Sequence, residues 1–421
     1  MNTASQPHFC GDTGWNPMAD SKYPKPEDRA ALLTAERNRK MAASAQAYVR
    51  GSTVHFYEWL ASGNRARLPQ GPDIWICGDC HVGNLGPVAN IHGDVEIQIR
   101  DFDQTVVGNP VYDLIRLGLS LAMAARGSDL PGITTAHMLE HMIEGYETAF
   151  LPRDPKNSVE LNAAMPEIVK RLMRKSAGRS WKHLADERIE GVKPVIPRGR
   201  RFWQMTVEER RAIDLLFAQE QVRRLVTSLR SRDENAEIRV LDAAYWRKGC
   251  SSLGRLRFAV LAAVGAGKDE RHCLMDIKEA AAPVAPRSLI GDLPLDNAHR
   301  VVEGGRELSP FLGERMLSAV LLGKAVFVRE LMPQDLKIEI KQISIDNAKS
   351  IAKYLAHIVG LAHARQLSRP KRKTWLAELQ HNRSKSLDAP SWLWNSVVAL
   401  VAAHEAAYLN HCRRYALENS G

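Results

Sequence analysis

The chain has 421 residues, more than one hydrophobic core usually serves, so two or three packing units are expected. Its hydrophobic content of 45% and charged content of 25% are ordinary globular values, which argue against a mostly disordered chain, a collagen-like fibre or a membrane bundle. The net charge of +10 favours anionic ligands in general, but it is spread over a long chain and identifies no partner.

The sequence also bears on cellular location. It contains no run of about 20 consecutive apolar residues, the length that spans a bilayer, so no membrane span is expected. Residues 1–7 lack the basic start and the apolar run of an export signal, which makes the reducing cytoplasm the expected compartment. The six cysteines are then expected to be free thiols.

The first part of the chain is predicted to be mainly helical. Residues 1–28, rich in Pro, Gly, Asp and Asn, predict an irregular arm, and the apolar spacing from Arg29 to Ala61 is typical of helices with a break near Gly51. Three short apolar runs then predict strands joined by tight loops: Ile74–Cys77, Leu85–Val88 and Val95–Arg100. A helical pattern resumes over Asp113–Arg126 and Thr134–Phe150.

The second part changes character. Residues 152–235 are charged and predict helices with exposed loops. A small sheet with one helix follows, with three strands and a helix at Phe258–Val264, His272–Ile277, Ala325–Leu331 and Ala298–Leu308. The helical pattern returns over Asn347–Gln366 and Ser391–Ala416. The order helical, sheet-rich, helical predicts an α+β fold.

The densest chemical signal is the run Cys-Gly-Asp-Cys-His-Val-Gly-Asn over Cys77–Asn84, followed by a strand and by Asp-Phe-Asp at 101–103. Phosphoryl transfer needs a carboxylate that orients the acceptor hydroxyl, oxygen ligands for Mg²⁺ and a cation on the phosphates. Asp79, Asn84 and Asp101 supply the first two, and Asp103 is either a second metal ligand or a surface carboxylate. Each residue alone is typical of a turn, but their order favours a phosphate and metal site.

This run resembles the catalytic loop of the aminoglycoside and choline phosphotransferase branch of the protein-kinase-like superfamily, His-Gly-Asp-x-His-x-x-Asn, with Cys77 in place of the first His. The segment Gly108–Leu114 is similar to the Gly-Asp-Pro-x-Tyr-Asp-Leu run that follows the branch's metal-binding Asp. Four short motifs together resemble an uncharacterised bacterial family, domain of unknown function 2252: Arg39–Met41, Tyr48–Gly51, Gly78–His81 and Asp101–Asp103. That second resemblance implies no reaction.

In a kinase-like chain the nucleotide-binding lobe precedes the catalytic loop, and here Asp79 comes too early for that order. The lobe is therefore expected downstream. The run Gly249–Gly254 resembles a phosphate-covering loop, in which the backbone of a tight turn approaches phosphate oxygens. We assign nucleotide contacts there to Gly249, Ser251, Ser252 and Gly254, although Ser251 stands where glycine is more usual.

The loop precedes one strand, and the next strand ends in Lys278, which resembles the strand-borne lysine that contacts the phosphates. Glu303 and Glu307 lie four residues apart on one face of the next helix, and either could pair with Lys278; we favour Glu303. Two adjacent glycines weaken that helix. Glu330 and Leu331 end the strand that leads to the hinge, where they are expected to contact the nucleotide.

Together these features predict a two-lobe, circularly permuted kinase-like fold with ATP and Mg²⁺ between the lobes. Residues 29–235 and 344–421 would build the helical lobe, and residues 236–343 the sheet-rich lobe. The implied function is phosphoryl transfer to a hydroxyl of an unidentified small molecule. A non-catalytic nucleotide-binding regulator and nucleotidyl transfer on the same fold are the alternatives.

Other readings of the motifs have less support. Cys77, Cys80 and His81 match a c-type haem attachment pattern, and the two cysteines could bind zinc or act in redox chemistry, but no second cysteine pair accompanies them. The basic runs Arg198–Arg201 and Arg369–Lys373 lack interleaved aromatic residues, so nucleic-acid binding is not expected as the main function.

Overall fold

A computed structural model describes residues 23–152, 165–181, 184, 195–229, 231–294, 296–338, 344–381 and 389–415. Over these ranges the chain folds into helices and antiparallel strands, so the predicted α+β class is confirmed. Most of the predicted arm, residues 1–22, lies outside the described residues, and its end differs from the prediction because a helix already begins at Pro26.

The helices account for about half of the described chain. In chain order they are α1 (Pro26–Ala42), α2 (Ala45–Gly51), α3 (Thr53–Ala61), α4 (Val111–Arg126), α5 (Gly132–Thr148), α6 (Glu167–Ala177), α7 (Val207–Phe217), α8 (Glu220–Thr227), α9 (Asn297–Leu308), α10 (Pro310–Gly313), α11 (Ile345–Ala364), α12 (Arg369–His381) and α13 (Ser391–Tyr415). None of these helices combines the length and the apolarity that crossing a bilayer requires.

The strands fall into one large sheet and two small ones. Their bounds are β1 (Ile74–Ile76), β2 (Leu85–Ala89), β3 (Val95–Ile99), β4 (Val106–Gly108), β5 (Phe202–Trp203), β6 (Ile238–Trp246), β7 (Arg257–Val264), β8 (Arg271–Glu279), β9 (Met316–Leu321) and β10 (Lys324–Leu331). The large sheet has the order β5-β6-β7-β8-β10-β9, while β1 pairs with β4 and β2 pairs with β3. The predicted strands are confirmed, but β4, β5, β6 and β9 were not predicted.

The register of β8 in the large sheet positions its charged residues. Lys278 lies opposite Arg257 of β7 on one side and Phe327 of β10 on the other. Asp276 lies opposite Arg329 of β10. Because side chains alternate along a strand, Asp276 and Lys278 project from the same face of the sheet. That face therefore carries a charged patch among otherwise apolar strands.

The two faces of the sheet belong to different hydrophobic cores. Phe258 and Val260 of β7 pack with α7 and α8 on one face, and Ala259 and Leu261 pack with Trp246 on the other. The predicted lobe boundary at 235/236 falls inside this unit, because β5, α7 and α8 already pack with the sheet. The reason is that the apolar residues of α7 and α8 belong to the same hydrophobic core as β6, β7 and β8.

A third and larger core joins the helices. It contains residues from α3, α4, α5, α11 and α13, and also the apolar face of α9. Val301 of α9 is fully buried there, so α9 connects the sheet to the helical part of the chain. The core thus unites segments that are far apart in sequence.

Helices α5 and α11 cross in close contact. A side chain at Gly145 of α5 would place its Cβ 2.7 Å from the carbonyl carbon of Lys353 in α11. Gly360 of α11 is similarly placed, with its Cβ position 2.8 Å from the carbonyl oxygen of Tyr146. Glycine is therefore required at both crossings for the backbones to approach this closely.

We expect Gly145→Ala to lower the free energy of unfolding by about 1–3 kcal/mol, because the added methyl group forces α5 and α11 apart. Gly132→Ala in the same helix is the control, since its Cβ would meet no atom within 4 Å. Urea unfolding of both variants and the wild type measures the difference. Equal stability of the two variants would contradict the close packing described here.

Candidate functional site

A cleft of about 470 Å³ lies between the charged face of the sheet and the segment that follows β1. Asp79, Asn84 and Asp101 line it from the first part of the chain. Loop 249–252 and Lys278 line it from the second. One cavity is thus lined by predicted site residues that are separated by up to about two hundred positions.

Loop 77–84 is held from below by Asp113 of α4. The Asp113 carboxylate accepts hydrogen bonds from the backbone N–H groups of Cys77, at 2.7 Å, and Gly78, at 2.9 Å. Gly78 has φ +73°, and a Cβ there would lie 2.9 Å from the Gln104 carbonyl carbon, so only glycine fits this turn. The loop conformation therefore depends on one buried carboxylate and one glycine.

Asp113 is itself the end of a buried hydrogen-bond chain. His363, near the C-terminus of α11, contacts Asp113 Oδ2 through Nε2 at 3.2 Å and Tyr146 Oη through Nδ1 at 2.9 Å. Trp375 of α12 donates its Nε1–H to Tyr146 at 3.3 Å. Helices α4, α5, α11 and α12 are thereby tied to the position of loop 77–84.

Arg116 and Asn84 fix the orientation of Asp79. The buried guanidinium of Arg116 donates a hydrogen bond from Nε to Oδ1 of Asp79 at 2.9 Å and forms an ion pair with the same carboxylate, while its Nη2 donates to the carbonyl oxygen of Val49 at 2.5 Å. Asn84 donates its Nδ2–H to the carbonyl oxygen of Asp79 at 2.9 Å, which commits its amide nitrogen and leaves Oδ1 as an acceptor. Sequence reasoning missed Arg116, because it lies on α4 and its position depends on tertiary packing.

Lys278 meets the acids of segment 101–103. Its Nζ lies 3.7 Å from Oδ1 of Asp101, and it forms a direct ion pair with Asp103. The Asp101 side chain is 44% exposed and lines the cleft, whereas that of Asp103 is 9% exposed. Asp103 is therefore the buried partner of the lysine, and Asp101 is the carboxylate that a ligand can reach.

The surrounding charges keep Asp101 ionised. Burial tends to raise its pKa, but the cations Lys278, Arg329 and Lys337 outweigh this effect and hold the pKa well below the ordinary value. Asp103 behaves differently: burial and the neighbouring Asp101 raise its pKa, and its Oδ1 makes no hydrogen bond with the described part of the chain. Asp101 thus presents a permanent negative charge to the cleft.

Loop 249–254 connects β6 and β7 at the rim of the cleft. Gly249, Ser251 and Ser252 line the cavity, and Gly249 has φ +108°. The prediction for Gly254 requires a correction, because its Cβ position lies 3.3 Å from both the Ala30 carbonyl and the Thr34 hydroxyl of α1. Gly254 therefore lets the loop pack on α1 and does not line the cleft.

The predicted pairing of Glu303 with Lys278 is also corrected. Glu303 pairs with Arg306 at 2.8 Å on the outer surface of α9. Gly304 faces Thr105, and a methyl group added at Gly304 would lie 3.0 Å from the Thr105 Cβ. The helix therefore contacts segment 101–105 through a glycine. Residues 303 and 304 are turned by about 100° from each other, and the glycine at the contact directs the glutamate away.

The charged residue by which α9 contacts segment 101–105 is Arg300, whereas the prediction had a glutamate facing the site. Its guanidinium donates hydrogen bonds to the backbone carbonyls of Asp103, at 3.0 Å, Ala281, at 2.9 Å, and Thr105. These bonds fix the backbone that carries both acids. Arg300 and Gly304 stand four residues apart on one helix face, a spacing that could have indicated this contact surface.

At the predicted hinge, Leu331 lines the cleft together with Met332. Glu330 does not, because its side chain is buried in a bidentate ion pair with Arg232, at 2.6 and 2.8 Å. Its carbonyl oxygen accepts a hydrogen bond from Arg315 at 2.7 Å. The residue therefore fixes the end of β10, and only its neighbours are available to a ligand.

The cleft is strongly basic. Its acidic lining residues are Asp79, Asp101 and Asp335. Its eight basic lining residues are Lys40, Arg50, Arg100, Lys248, Arg257, Lys278, Arg329 and Lys337. Such an excess of positive charge favours an anionic ligand, because the low-dielectric walls concentrate its field.

The roof of the cleft is a buried cluster that sequence reasoning did not detect. Asp276 accepts two hydrogen bonds from Arg257, at 2.8 and 2.6 Å, and two from Arg329, at 3.1 and 3.0 Å. Burial raises the pKa of Asp276, but these two guanidinium groups lower it well below the ordinary range. The alternation of Asp276 with Lys278 along β8 is the signal that could have indicated a shared charged face.

The Cys77 and Cys80 thiols are both buried. Their mutual hydrogen bond and burial raise the pKa of Cys77 well above its ordinary value. The same hydrogen bond lowers the pKa of Cys80, but burial together with the charges of Asp113 and Asp79 outweighs it and raises that pKa. Both are therefore protonated at neutral pH. Within the described ranges no group of three or more His, Cys, Asp or Glu side chains is arranged to hold a metal ion.

Magnesium requires less than such a group. It is usually held by one or two protein carboxylates or amides, with phosphate oxygens and water completing its octahedron. The ionised Asp101 carboxylate and the Asn84 amide oxygen suit this role, and both line the cleft. Asp103, by contrast, is committed to Lys278. The residues present therefore fit a magnesium ion that binds together with a phosphate ligand.

A model of an uncharacterised protein family conserved in bacteria, domain of unknown function 2252, matches residues 29–414. The chain belongs to this family. Family membership was predicted from four short motifs, and that prediction is confirmed. Neither the curated proteins nor the solved structures gave a match to the chain. Membership of domain of unknown function 2252 relates the chain to other bacterial proteins but assigns it no reaction.

We expect Asp113→Asn to lower the free energy of unfolding by about 1–3 kcal/mol, because an amide leaves one of two buried N–H donors without an acceptor. Hydrogen exchange at the amides of Cys77 and Gly78 should accelerate at the same time. The matched control is Asp129→Asn, which changes an exposed residue. Unchanged exchange at both amides would contradict the anchoring role of Asp113.

His81 predicts a pH dependence of stability. Burial lowers its pKa to about 4, so the folded state resists protonation that the unfolded chain accepts below about 6.5. Stability should therefore fall as pH decreases from 6.5 towards 4. Between pH 7 and pH 5, His81→Gln should lose about 1–2 kcal/mol less than the wild type in urea unfolding. The same replacement at exposed His92 should leave the wild-type slope.

Proposed function

We propose that this protein is an ATP- and Mg²⁺-dependent phosphotransferase that acts on a hydroxyl of a small molecule. One observation carries the proposal: Lys278 Nζ lies 3.7 Å from the Asp101 carboxylate, in the cleft that Asp79 and Asn84 also line. A fixed cation, an ionised carboxylate and an oriented acid are the parts that phosphoryl transfer requires.

Each residue takes a distinct role in this proposal. Lys278 neutralises phosphate oxygens, and its paired acids hold it in place. Asn84 and Asp101 would hold Mg²⁺, which on binding neutralises charge on the β- and γ-phosphates. Asp79, held by Arg116, orients the acceptor hydroxyl and accepts its proton. The acceptor oxygen forms a bond to the γ-phosphorus while the bond to the β–γ bridging oxygen breaks, and ADP leaves with that electron pair.

The proposed fold is a circularly permuted kinase-like fold with two lobes. Loop 249–254 precedes β7, Lys278 ends β8, α9 follows, and β10 leads to the cleft at Leu331, as the nucleotide lobe of such a fold would be ordered. His363 of α11 then reaches Asp113 beneath loop 77–84. This contact supports α11 as the helix that would precede the catalytic loop in an unpermuted chain. We propose the cytoplasm as the compartment, where ATP is supplied.

A non-catalytic, nucleotide-binding regulator is the second candidate. The observation that favours it is the buried ion pair between Arg116 and Asp79, which includes a hydrogen bond from Arg116 Nε to Oδ1 of Asp79. A carboxylate that is paired with a guanidinium accepts a proton less readily. Nucleotidyl transfer on the same fold would also use Lys278 and Asp101, and the reaction product, ADP or pyrophosphate, distinguishes it.

The function is tested by ATP consumption with Mg²⁺ and a panel of hydroxylated metabolites. We expect Asp79→Asn to reduce turnover about 100- to 10 000-fold, because the hydroxyl loses its proton acceptor. Lys278→Met should reduce it to a similar extent and also weaken ATP binding. Glu303→Gln is the control and should retain wild-type turnover, since its surface ion pair contributes little. ATP binding without turnover in the wild type would select the regulator instead.

A further inference from the structure

A second cavity opens beside loop 77–84. This side pocket has a volume of about 210 Å³ and shares Arg50, Gly83 and Lys337 with the cleft. Its apolar wall is formed by Val49, Val82, Met123, Ala124 and Ile338. The shared residues mean that a ligand in the side pocket lies next to the loop that carries Asp79.

Two basic residues stand at the junction of the side pocket and the cleft. The guanidinium carbon of Arg50 lies 3.6 Å from the position that a Cβ on Gly83 would take, so Arg50 sits directly against the loop. Neither Arg50 nor Lys337 forms an ion pair or hydrogen bond with the described part of the chain. Two cations therefore face the same opening with their hydrogen-bond donors available to a ligand, and Asp101 attracts Lys337 without a direct ion pair.

His81 supplies an independent sign of a ligand at this junction. The residue is 4% exposed and lines the cleft, and its Nδ1 has no hydrogen-bond partner among the described residues. Nδ1 lies 3.3 Å from the position of a Cβ on Gly83, which lines both cavities. A buried polar atom without a partner is costly, and a ligand that bonds to it removes the cost.

The pocket limits the size of what it holds. A cavity of about 150 Å³ holds a benzene ring, so a cavity of 210 Å³ suits a molecule of about eight to ten non-hydrogen atoms. The Ser120 hydroxyl accepts the N–H of Val82 at 3.2 Å, which leaves its own proton for a ligand acceptor. The side pocket therefore suits a ligand that has polar groups at its ends and an apolar part between them.

We propose that the side pocket binds the acceptor, and that the acceptor is a small hydroxylated anion whose carboxylate or phosphate lies between Arg50 and Lys337. This inference rests on the proposed phosphotransferase function. With the anion held there, a hydroxyl on the same molecule extends past Gly83 towards Asp79. It loses its proton to Asp79 and gains the phosphoryl group, and ADP is released. Cationic acceptors are disfavoured by the two unpaired cations.

The first experiment compares four probes of similar size in the Mg²⁺-ATP assay: glycerate, glycerol 3-phosphate, glycerol and ethanolamine. We expect kcat/KM to be at least about tenfold higher for the anionic probes than for the neutral and cationic ones. The comparison between glycerate and glycerol 3-phosphate identifies the carboxylate or the phosphate as the preferred group. Turnover that is equal for glycerol, or highest for ethanolamine, would overturn the inference while leaving the phosphotransferase function intact.

Variants locate the effect. Arg50→Gln should raise KM for the preferred anion about 10- to 100-fold, because a charged hydrogen bond is lost, and leave KM for ATP near the wild-type value. Arg67→Gln removes an exposed cation that lines neither the cleft nor the side pocket, so it should leave KM for the anion unchanged. Thermal melting of both variants checks that each remains folded. An unchanged acceptor KM in Arg50→Gln would contradict the proposed site.

A binding measurement separates failure of this inference from failure of the function. Calorimetric titration of glycerate and of glycerol 3-phosphate into the wild type and Arg50→Gln reports the anion site without any chemistry. Binding that Arg50→Gln abolishes, in a protein that consumes no ATP, would retain the anion pocket and reject the phosphotransferase. ATP turnover with no Arg50-dependent anion binding would retain the phosphotransferase and reject the anion pocket.

Discussion

The contact between Lys278 and the two acids of segment 101–103 is the constraint on which the site depends. It joins a central strand of the large sheet to the loop after β3, and no covalent connection holds these parts near each other. A buried ion pair contributes little net stability because both charges lose water, but removal of one partner leaves an uncompensated charge that costs about 3–5 kcal/mol. The pair therefore specifies how the sheet sits on the helical core more than it stabilises the chain.

Helix α9 provides a second link between the same parts. Arg300 bonds to the backbone carbonyls of Asp103 and Thr105, while Gly304 allows the helix axis to approach Thr105. Arg300 supplies the hydrogen bonds, and the lack of a side chain at Gly304 removes the steric obstacle. A helix weakened by two glycines is thus used where close approach matters more than intrinsic helix propensity. The acids are held from the sheet side by an ammonium and from the helix side by a guanidinium.

The sequence predicted those parts of the site that depend on local order. Loop 77–84, its strands and loop 249–252 follow from turn residues and short apolar runs, which act over a few positions. The role of Arg116, the outward position of Glu303 and the packing of Gly254 on α1 depend on contacts between distant segments. A helix position can be assigned from periodicity, but which of its faces meets the site depends on the partner. Similarly, β6 and β9 take much of their identity from their neighbours in the sheet.

The hydrogen-bond chain beneath loop 77–84 has a consequence for biosynthesis. The loop leaves the ribosome before its support is complete, because its anchor, Asp113, is bonded to His363, which lies 250 residues further along the chain. Until α11 has been synthesised, loop 77–84 lacks the helix that braces this anchor. Contacts of such large sequence separation form slowly. The loop therefore reaches its final, supported conformation only after a distant segment has folded back beneath it.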